Sequence, residues 1–401
     1  MEPLIKRPTY FKQIEPYIGT SLIKFLTGQR RVGKSFLLKQ IMDETLSRDP
    51  SGKVIYINKE DYAFDHLKTD KDLMDYLSNH VQTEANITLL IDEVQEIDGF
   101  EKALRSLQLD GRYDIYCTGS NATLLSGEMA TMLAGRYVQI RVFSLTYPEY
   151  LLFNKFADTN EALQQYIRTG GMPHLINLRQ DESVHLEYLS NVFDSIVLRD
   201  IVSRYGVRNV RLLQDLILYL ADNVGSLVTA KRIADFLKSQ KINIQSKTIL
   251  EYLYYLETVF CIDRVKRTEV NGRKIFEIGD KFYFEDLGIR HCQIPFRVND
   301  IGKVTENLIY HHLKAMQHKV YVGKMDDREI DFVCDKEGKT LYVQVAYLVP
   351  DEKTHQREFG NLLKINDNCR KVVVSWDPVS GSDYKGIEHW NIRSFLKEFE
   401  G

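Results

Sequence analysis

Residues 28–35 read GQRRVGKS, and this short stretch constrains the chain most. Its form, G-x-x-x-x-G-K-S, is that of a phosphate-binding loop. Before it lies LIKFLTG, an apolar run fit for a buried strand. After it lies SFLLKQIMDETL, with apolar residues at helical spacing. Strand, glycine loop and helix together are what phosphate binding requires. Gly28 and Gly33 let the backbone turn its N–H groups toward the phosphates. The helix N-terminus adds the positive end of its dipole. Lys34 reaches the β and γ phosphates, and the Ser35 hydroxyl suits Mg²⁺. The residues expected around ATP in this stretch are Gly28, Arg31, Gly33, Lys34, Ser35 and Phe36, with Arg30 a further cation in the loop.

A second element should be an apolar strand ending in acid. TLLIDE, residues 88–93, fits. Asp92 would order the Mg²⁺ shell with Ser35, and Glu93 would orient or deprotonate the attacking water. A third element is DIYCTGSNATLL, residues 114–125, a strand followed by small polar residues. Ser120 or Asn121 would hydrogen-bond the γ-phosphate or the attacking water. Both are also ordinary turn residues. Phosphoryl transfer further wants a cation on the developing charge. Arg136, in LAGRYVQIRVF, is the candidate, either within its own chain or across a subunit contact; its alternative is a solvated strand-edge arginine.

The 401 residues suffice for two or three domains, and 44% hydrophobic content supports folded cores. A net charge of −3 gives no global attraction to nucleic acid. Five scattered cysteines without a C-x-x-C pair exclude a standard cysteine zinc framework and point to reduced thiols in a cytoplasmic protein. The start, MEPLIKRPTY, has no run of signal-peptide length, and no stretch of about 18 apolar residues predicts a membrane span.

The expected fold class is α/β. A P-loop parallel-sheet core over 1–145 has strands at 22–27, 53–58, 87–91, 113–118 and 137–143, after a lead-in that packs on it. A helical lid follows over 146–221, broken by the sharp turn at Gly170-Gly171 and Pro173. Residues 222–295 read as helix, helix and a hairpin around Asn271-Gly272, a winged-helix order. Its second helix, KTILEYLYYLE, is poor in the Arg, Lys, Asn and Gln that read a major groove, which favours protein packing. Arg264, Lys266, Arg267, Arg273 and Lys274 of the hairpin leave phosphate contact open. Residues 296–401 carry Glu306 on a helix and Asp331 and Gln344 on successive strands, the layout of a restriction-type nuclease. An acid and a lysine are wanted where Gln344 and Ala346 stand. Lys339 lies too far along the strand to replace the lysine, whereas Glu329 could replace the acid. An inactive nuclease-like domain is therefore expected. His311 and His312 read as surface or satisfied residues rather than ligands.

GQRRVGKS, LLIDEVQEI, TGSNATLLSG, GRY, GGMPHL and KFYFEDLGIR together resemble a family of prokaryotic AAA-type ATPases. Its members join the ATPase core to a region of unknown function and a tail similar to PD-(D/E)XK nucleases. The resemblance implies ATP binding and hydrolysis, with Lys34, Ser35, Asp92 and Glu93 at the matching positions and Arg136 at one often taken for nucleotide sensing. The expected function is an ATP-driven switch whose C-terminal domains bind a partner, protein or nucleic acid, with self-association a further expectation. An ATP-gated nuclease and a DNA-binding regulator using ATP as ligand are the alternatives. Glu93 favours hydrolysis over mere binding, and the Gln344/Ala346 pair counts against cleavage.

Overall fold

The first sheet is built from five parallel strands: β1 (Ile23–Thr27), β2 (Lys53–Asn58), β3 (Ile87–Asp92), β4 (Tyr113–Gly119) and β5 (Tyr137–Arg141). Their order is β2-β3-β4-β1-β5. The computed structural model describes residues 5–50, 52–81, 86–125, 132–270, 279–326, 328–378 and 382–399. The chain divides into two compact units, residues 1–143 with 258–260, and residues 144–257 with 261–401.

In the first unit, β1 and β3 are buried at every position. That is why each reads as a continuous apolar run rather than an alternation. Helices α1 (Pro8–Ile14), α2 (Lys34–Arg48), α3 (Asp70–His80) and α4 (Phe100–Asp110) belong to this unit. Helix α3 starts at a reciprocal capping box between Thr69 and Asp72. Its Leu73 and Leu77 join Phe25, Leu89, Ile91 and Leu104 in one apolar core. The lead-in is tied down by the buried Arg7, which donates through Nη1 to Val32 O at 3.0 Å and through Nη2 to Phe143 O at 3.1 Å.

The second unit opens with helices α5 (Tyr147–Asn154), α6 (Asn160–Thr169), α7 (Glu182–Ser195) and α8 (Val210–Asp222). A π-helical stretch, Ile196–Ser203, continues α7, so the long helical pattern in the sequence is one helix with a widened turn. Helices α9 (Ala230–Ser239) and α10 (Ser246–Thr258) follow; residue 258 itself groups with the first unit. Strand β6 (Ile262–Val265) then pairs antiparallel with β8 (Lys281–Phe284). The expected turn at Asn271-Gly272, with Arg273 and Lys274, lies outside the described residues.

Not every residue of that stretch serves this pair. Strand β7 (Arg267–Glu269) runs parallel to β9 (Lys319–Met325) in a second sheet. That sheet also holds β10 (Arg328–Lys336), β11 (Lys339–Val345), β12 (Arg370–Ser375), β13 (Ser382–Tyr384) and β14 (Ile387–Asn391), in the order β13-β14-β12-β11-β10-β9-β7. Helices α11 (Leu287–His291), α12 (Ile301–Ala315), α13 (Glu352–Leu363) and α14 (Ile392–Glu398) complete the unit. His311 and His312 on α12 are both buried, which corrects the surface reading. Ala346 lies one residue beyond the end of β11.

The Gly170-Gly171 turn has a specific cause. Gly170 has φ 74°, and a Cβ there would stand 2.1 Å from Asp286 Oδ1. A Cβ on Gly171 would stand 2.3 Å from Leu145 O. Gly171 N donates to Asp286 Oδ2 at 2.8 Å, while Asp286 Oδ1 caps α11 through Gly288 N and Ile289 N. Only a residue without a side chain admits so close a carboxylate.

Candidate nucleotide site

Strands β1, β3 and β4 run parallel, so the residues after Thr27, Ile91 and Gly119 emerge at one edge of the sheet. This is where open α/β sheets bind ligands. The loop after β1 turns at Gly28, φ 154°, where a Cβ would stand 2.1 Å from Val142 O. It turns again at Arg31, φ 70°, and Gly33, φ 98°. Gly33 is the N-cap of α2, and Leu37 N bonding to Gly33 O at 3.1 Å is that helix's first backbone bond. The N–H groups of Ser35 and Phe36 therefore have no acceptor within the helix, as a phosphate cradle requires. The Phe36 ring itself is exposed and lies beside Lys39, 5.5 Å from its Nζ; the Arg31 side chain is also exposed.

Lys34 is buried, and its ammonium is held by Gly28 O and Gln29 O, each at 2.9 Å. Glu93 Oε1 is 4.0 Å away. Burial alone would raise the Glu93 carboxyl above its ordinary range. The charge of Lys34, a hydrogen bond from Gln95, the charge of Arg30 and a hydrogen bond from Ser120 outweigh burial and hold it below that range. Asp92 behaves oppositely. Burial raises its carboxyl despite hydrogen bonds from Thr118, Ser35 and Tyr56, and the neighbouring Glu93 adds to the rise. A buried carboxylate beside a serine hydroxyl is a donor pair that suits a hard, oxygen-loving cation.

The sheet edge thus brings together Lys34, Ser35, Asp92, Glu93 and Ser120. Ser120 donates to Glu93 Oε2 at 3.2 Å. Asn121 follows directly and is buried. Arg136 is not in this group. It precedes β5, whose first residue pairs with Ile23 and whose last, Arg141, pairs with Thr27. Arg136 therefore lies at the amino edge of the sheet, roughly 16 Å from the loop at about 3.3 Å per residue. Its backbone O accepts from Ile23 N at 2.9 Å, and a role on nucleotide within its own chain does not fit this position.

Three residues escaped the sequence reading. Thr118 Oγ1 donates to Asp92 Oδ1 and accepts from Glu93 N at 2.8 Å, so one hydroxyl positions both acids. Gln95 bonds Glu93 Oε2, and Tyr56 OH donates to Asp92 Oδ2 at 3.2 Å. Thr118 precedes the glycine that ends β4, and only the strand order reveals that it faces β3.

This loop, acid strand and sheet edge define a P-loop domain of the AAA type. A family model described as an AAA domain matches residues 20–151. A second, described as a domain of unknown function (DUF8612), matches residues 160–300. An uncharacterized protein of Haemophilus influenzae is 35% identical over 392 residues, covering 96% of each chain. One of Methanocaldococcus jannaschii is 30% identical over 362 residues, covering 86% of this chain and 79% of the other. The chain belongs to the family of these two proteins. A Walker-type ATPase of Pyrococcus abyssi has a similar fold, with TM-score 0.50, 16% identity, and coverage of 71% of this chain and 93% of its own. Among the described residues, no helix is long and apolar enough to cross a membrane.

Proposed function

We propose that this protein is a Mg²⁺-dependent ATPase that works as a switch, with C-terminal domains that engage a partner. The observation that carries the reading is the ammonium of Lys34 beside an ionised, immobilised Glu93 at the carboxyl edge of the sheet. Lys34 now spends its donors on the loop's own carbonyls; turning them to the β and γ phosphates gives charge-assisted hydrogen bonds. Ser35 and Asp92 would hold Mg²⁺, which supplies charge to offset the buried Asp92 and the phosphate oxygens. Glu93, aimed by Gln95 and Ser120, orients the attacking water and accepts its proton. Asn121, next to Ser120, would contact the same water.

The domain limits that suit this reading are 1–145 for the ATPase core, 146–221 for a helical lid, 222–295 for a winged helix and 296–401 for a nuclease-like domain without cleaving activity. The partner surface then lies in the last two. Arg136 contributes to turnover only from a neighbouring copy.

The test is Glu93→Gln. It should bind ATP as the unaltered protein does and lose turnover, because an amide cannot take the water's proton. Turnover at the unaltered rate would remove Glu93 from this role. The same variant, held in the ATP state, is the bait with which to recover the partner from the native host. Mixing Arg136→Ala with Lys34→Ala protein tests the neighbouring-copy role: recovered turnover supports it, and none in a mixture shown to associate removes it.

A further inference from the structure

Among the described residues, the densest charge cluster outside the nucleotide site surrounds Lys281, in the second unit. Its Nζ lies 2.7 Å from Glu329 Oε1, 2.8 Å from Glu306 Oε1 and 3.7 Å from Asp331 Oδ1. The carboxylates come from strand β10 and helix α12, whereas the lysine comes from β8. Tyr283, two residues on and so on the same face of β8, donates to Glu306 Oε1 at 2.6 Å. Asp331 Oδ2 accepts from Val345 N at 2.8 Å, and Gln344 Oε1 accepts from Asp331 N at 3.4 Å. The lysine is 3% exposed.

On the nuclease-like reading of the tail, Glu306, Asp331 and Gln344 stand at the positions where a restriction-type nuclease would gather its metal ligands. We propose that the Lys281 ammonium replaces the divalent cation of such a centre, so that the chain closes the site with a charge of its own. The inference rests on the nuclease-like reading of residues 296–401. Two observations support it. A buried ammonium needs anionic partners, and these three carboxylates surround it. A divalent ion needs oxygens within about 2.0–2.6 Å, and among the described residues no three acidic, histidine or cysteine side chains are grouped to hold a metal. The ammonium fills the space into which the ligands would have to contract. One ammonium against three carboxylates still leaves negative charge in excess.

The test uses the full chain without nucleotide and Mn²⁺ as the probe. Lys281→Met keeps the unbranched stem as far as the ε position and removes the ammonium. The variant should bind one Mn²⁺ more than the unaltered protein, and Lys281→Met/Asp331→Asn should lose that ion again. Melting temperature gives a second readout if Lys281→Met is weakly folded. Mn²⁺ at a hundredfold excess over its dissociation constant should raise it by about 5–10 °C, with no such rise in the unaltered protein. Lys281→Met/Glu329→Gln relieves the carboxylate repulsion and repeats the measurement in a better-balanced cage. If neither Lys281→Met nor this second variant gains Mn²⁺ binding or Mn²⁺-dependent stability, the inference falls. It also falls if the unaltered protein binds Mn²⁺ in a manner abolished by Asp331→Asn. Neither failure touches ATP binding at Lys34, whereas Asp331-dependent DNA or RNA cleavage by the unaltered protein would overturn the closed centre and the non-cleaving tail together.

Discussion

Glu93 has φ 56° and ψ 55°, a left-handed conformation unusual for a residue with a long side chain. The strain, on the order of 1–2 kcal/mol, is held in place by the bond from Glu93 N to Thr118 Oγ1. Thr118→Val keeps the shape and removes the hydroxyl. It should leave ATP affinity within about threefold and cut turnover at least tenfold, because both acids lose their common anchor; an unchanged kcat in steady-state assays would refute this. Lys34→Ala should instead weaken ATP binding by at least a hundredfold, as a buried charge-assisted contact worth roughly 3 kcal/mol would, and calorimetry reads it directly. The difference between Lys34 and Thr118 marks what was legible at this scale. The lysine sits in a motif whose every position has a chemical reason. The threonine is an ordinary strand residue until the strand order sets it beside β3. Arg136 illustrates the converse: its place after a glycine was legible, but which end of the sheet it occupies follows only from the parallel pairing of β5 with β1.

At the level of elements, the five strands of the first sheet were legible because each is an apolar run bounded by turns or acids. The expected spans and the observed ones agree within two residues at each end. Their order was not legible, since it depends on which helices cross which face. The stretch after β6 shows a further limit. Its residues alternate like one hairpin, yet β7 leaves for the second sheet and β8 returns to β6. Both fates bury one face of a strand, so one-dimensional alternation does not distinguish them. The Gly170-Gly171 turn was visible, but its partner Asp286, 115 residues later, was not. Gly170 has φ 74° and ψ −167°, a region that essentially only glycine adopts, so Gly170→Ala should cost at least the roughly 1–3 kcal/mol of such backbone strain. Its methyl would strike the Asp286 carboxylate, and a loss of about 3 kcal/mol or more in urea unfolding is expected. Asp286→Ala should also exceed the 0.5–2 kcal/mol of an ordinary cap, because it strands the Gly171 N–H as well as those of α11. Losses below about 1 kcal/mol in both variants would show that this junction yields.

Across the whole molecule, the second unit carries buried histidines whose protonation opposes folding. Burial pushes His312 down to about 3, with the charges of His311 and His318 adding to the effect. Burial, followed by the charge of Arg290, pushes His291 down to about 4. Among the described residues, neither ring nitrogen of His312 has a hydrogen-bond partner, and its ring packs against Phe395 at 5.6 Å. Because the folded-state values lie below the unfolded value of 6.5, the unfolded chain takes up protons first as pH falls. The stability is complete above 6.5 and is lost progressively down to about 4 for His291 and about 3 for His312. Each group should cost about 1.2 kcal/mol between pH 7 and pH 5.5, and about 1.4 kcal/mol per unit further down. His312→Leu, which fills nearly the same apolar space, should remove its share of this slope while leaving that of His291. Urea unfolding of both proteins at pH 7 and pH 5.5 measures the difference. The unaltered protein should lose about 1.2 kcal/mol more than the variant, and equal losses would mean that His312 accepts a proton without leaving the folded core.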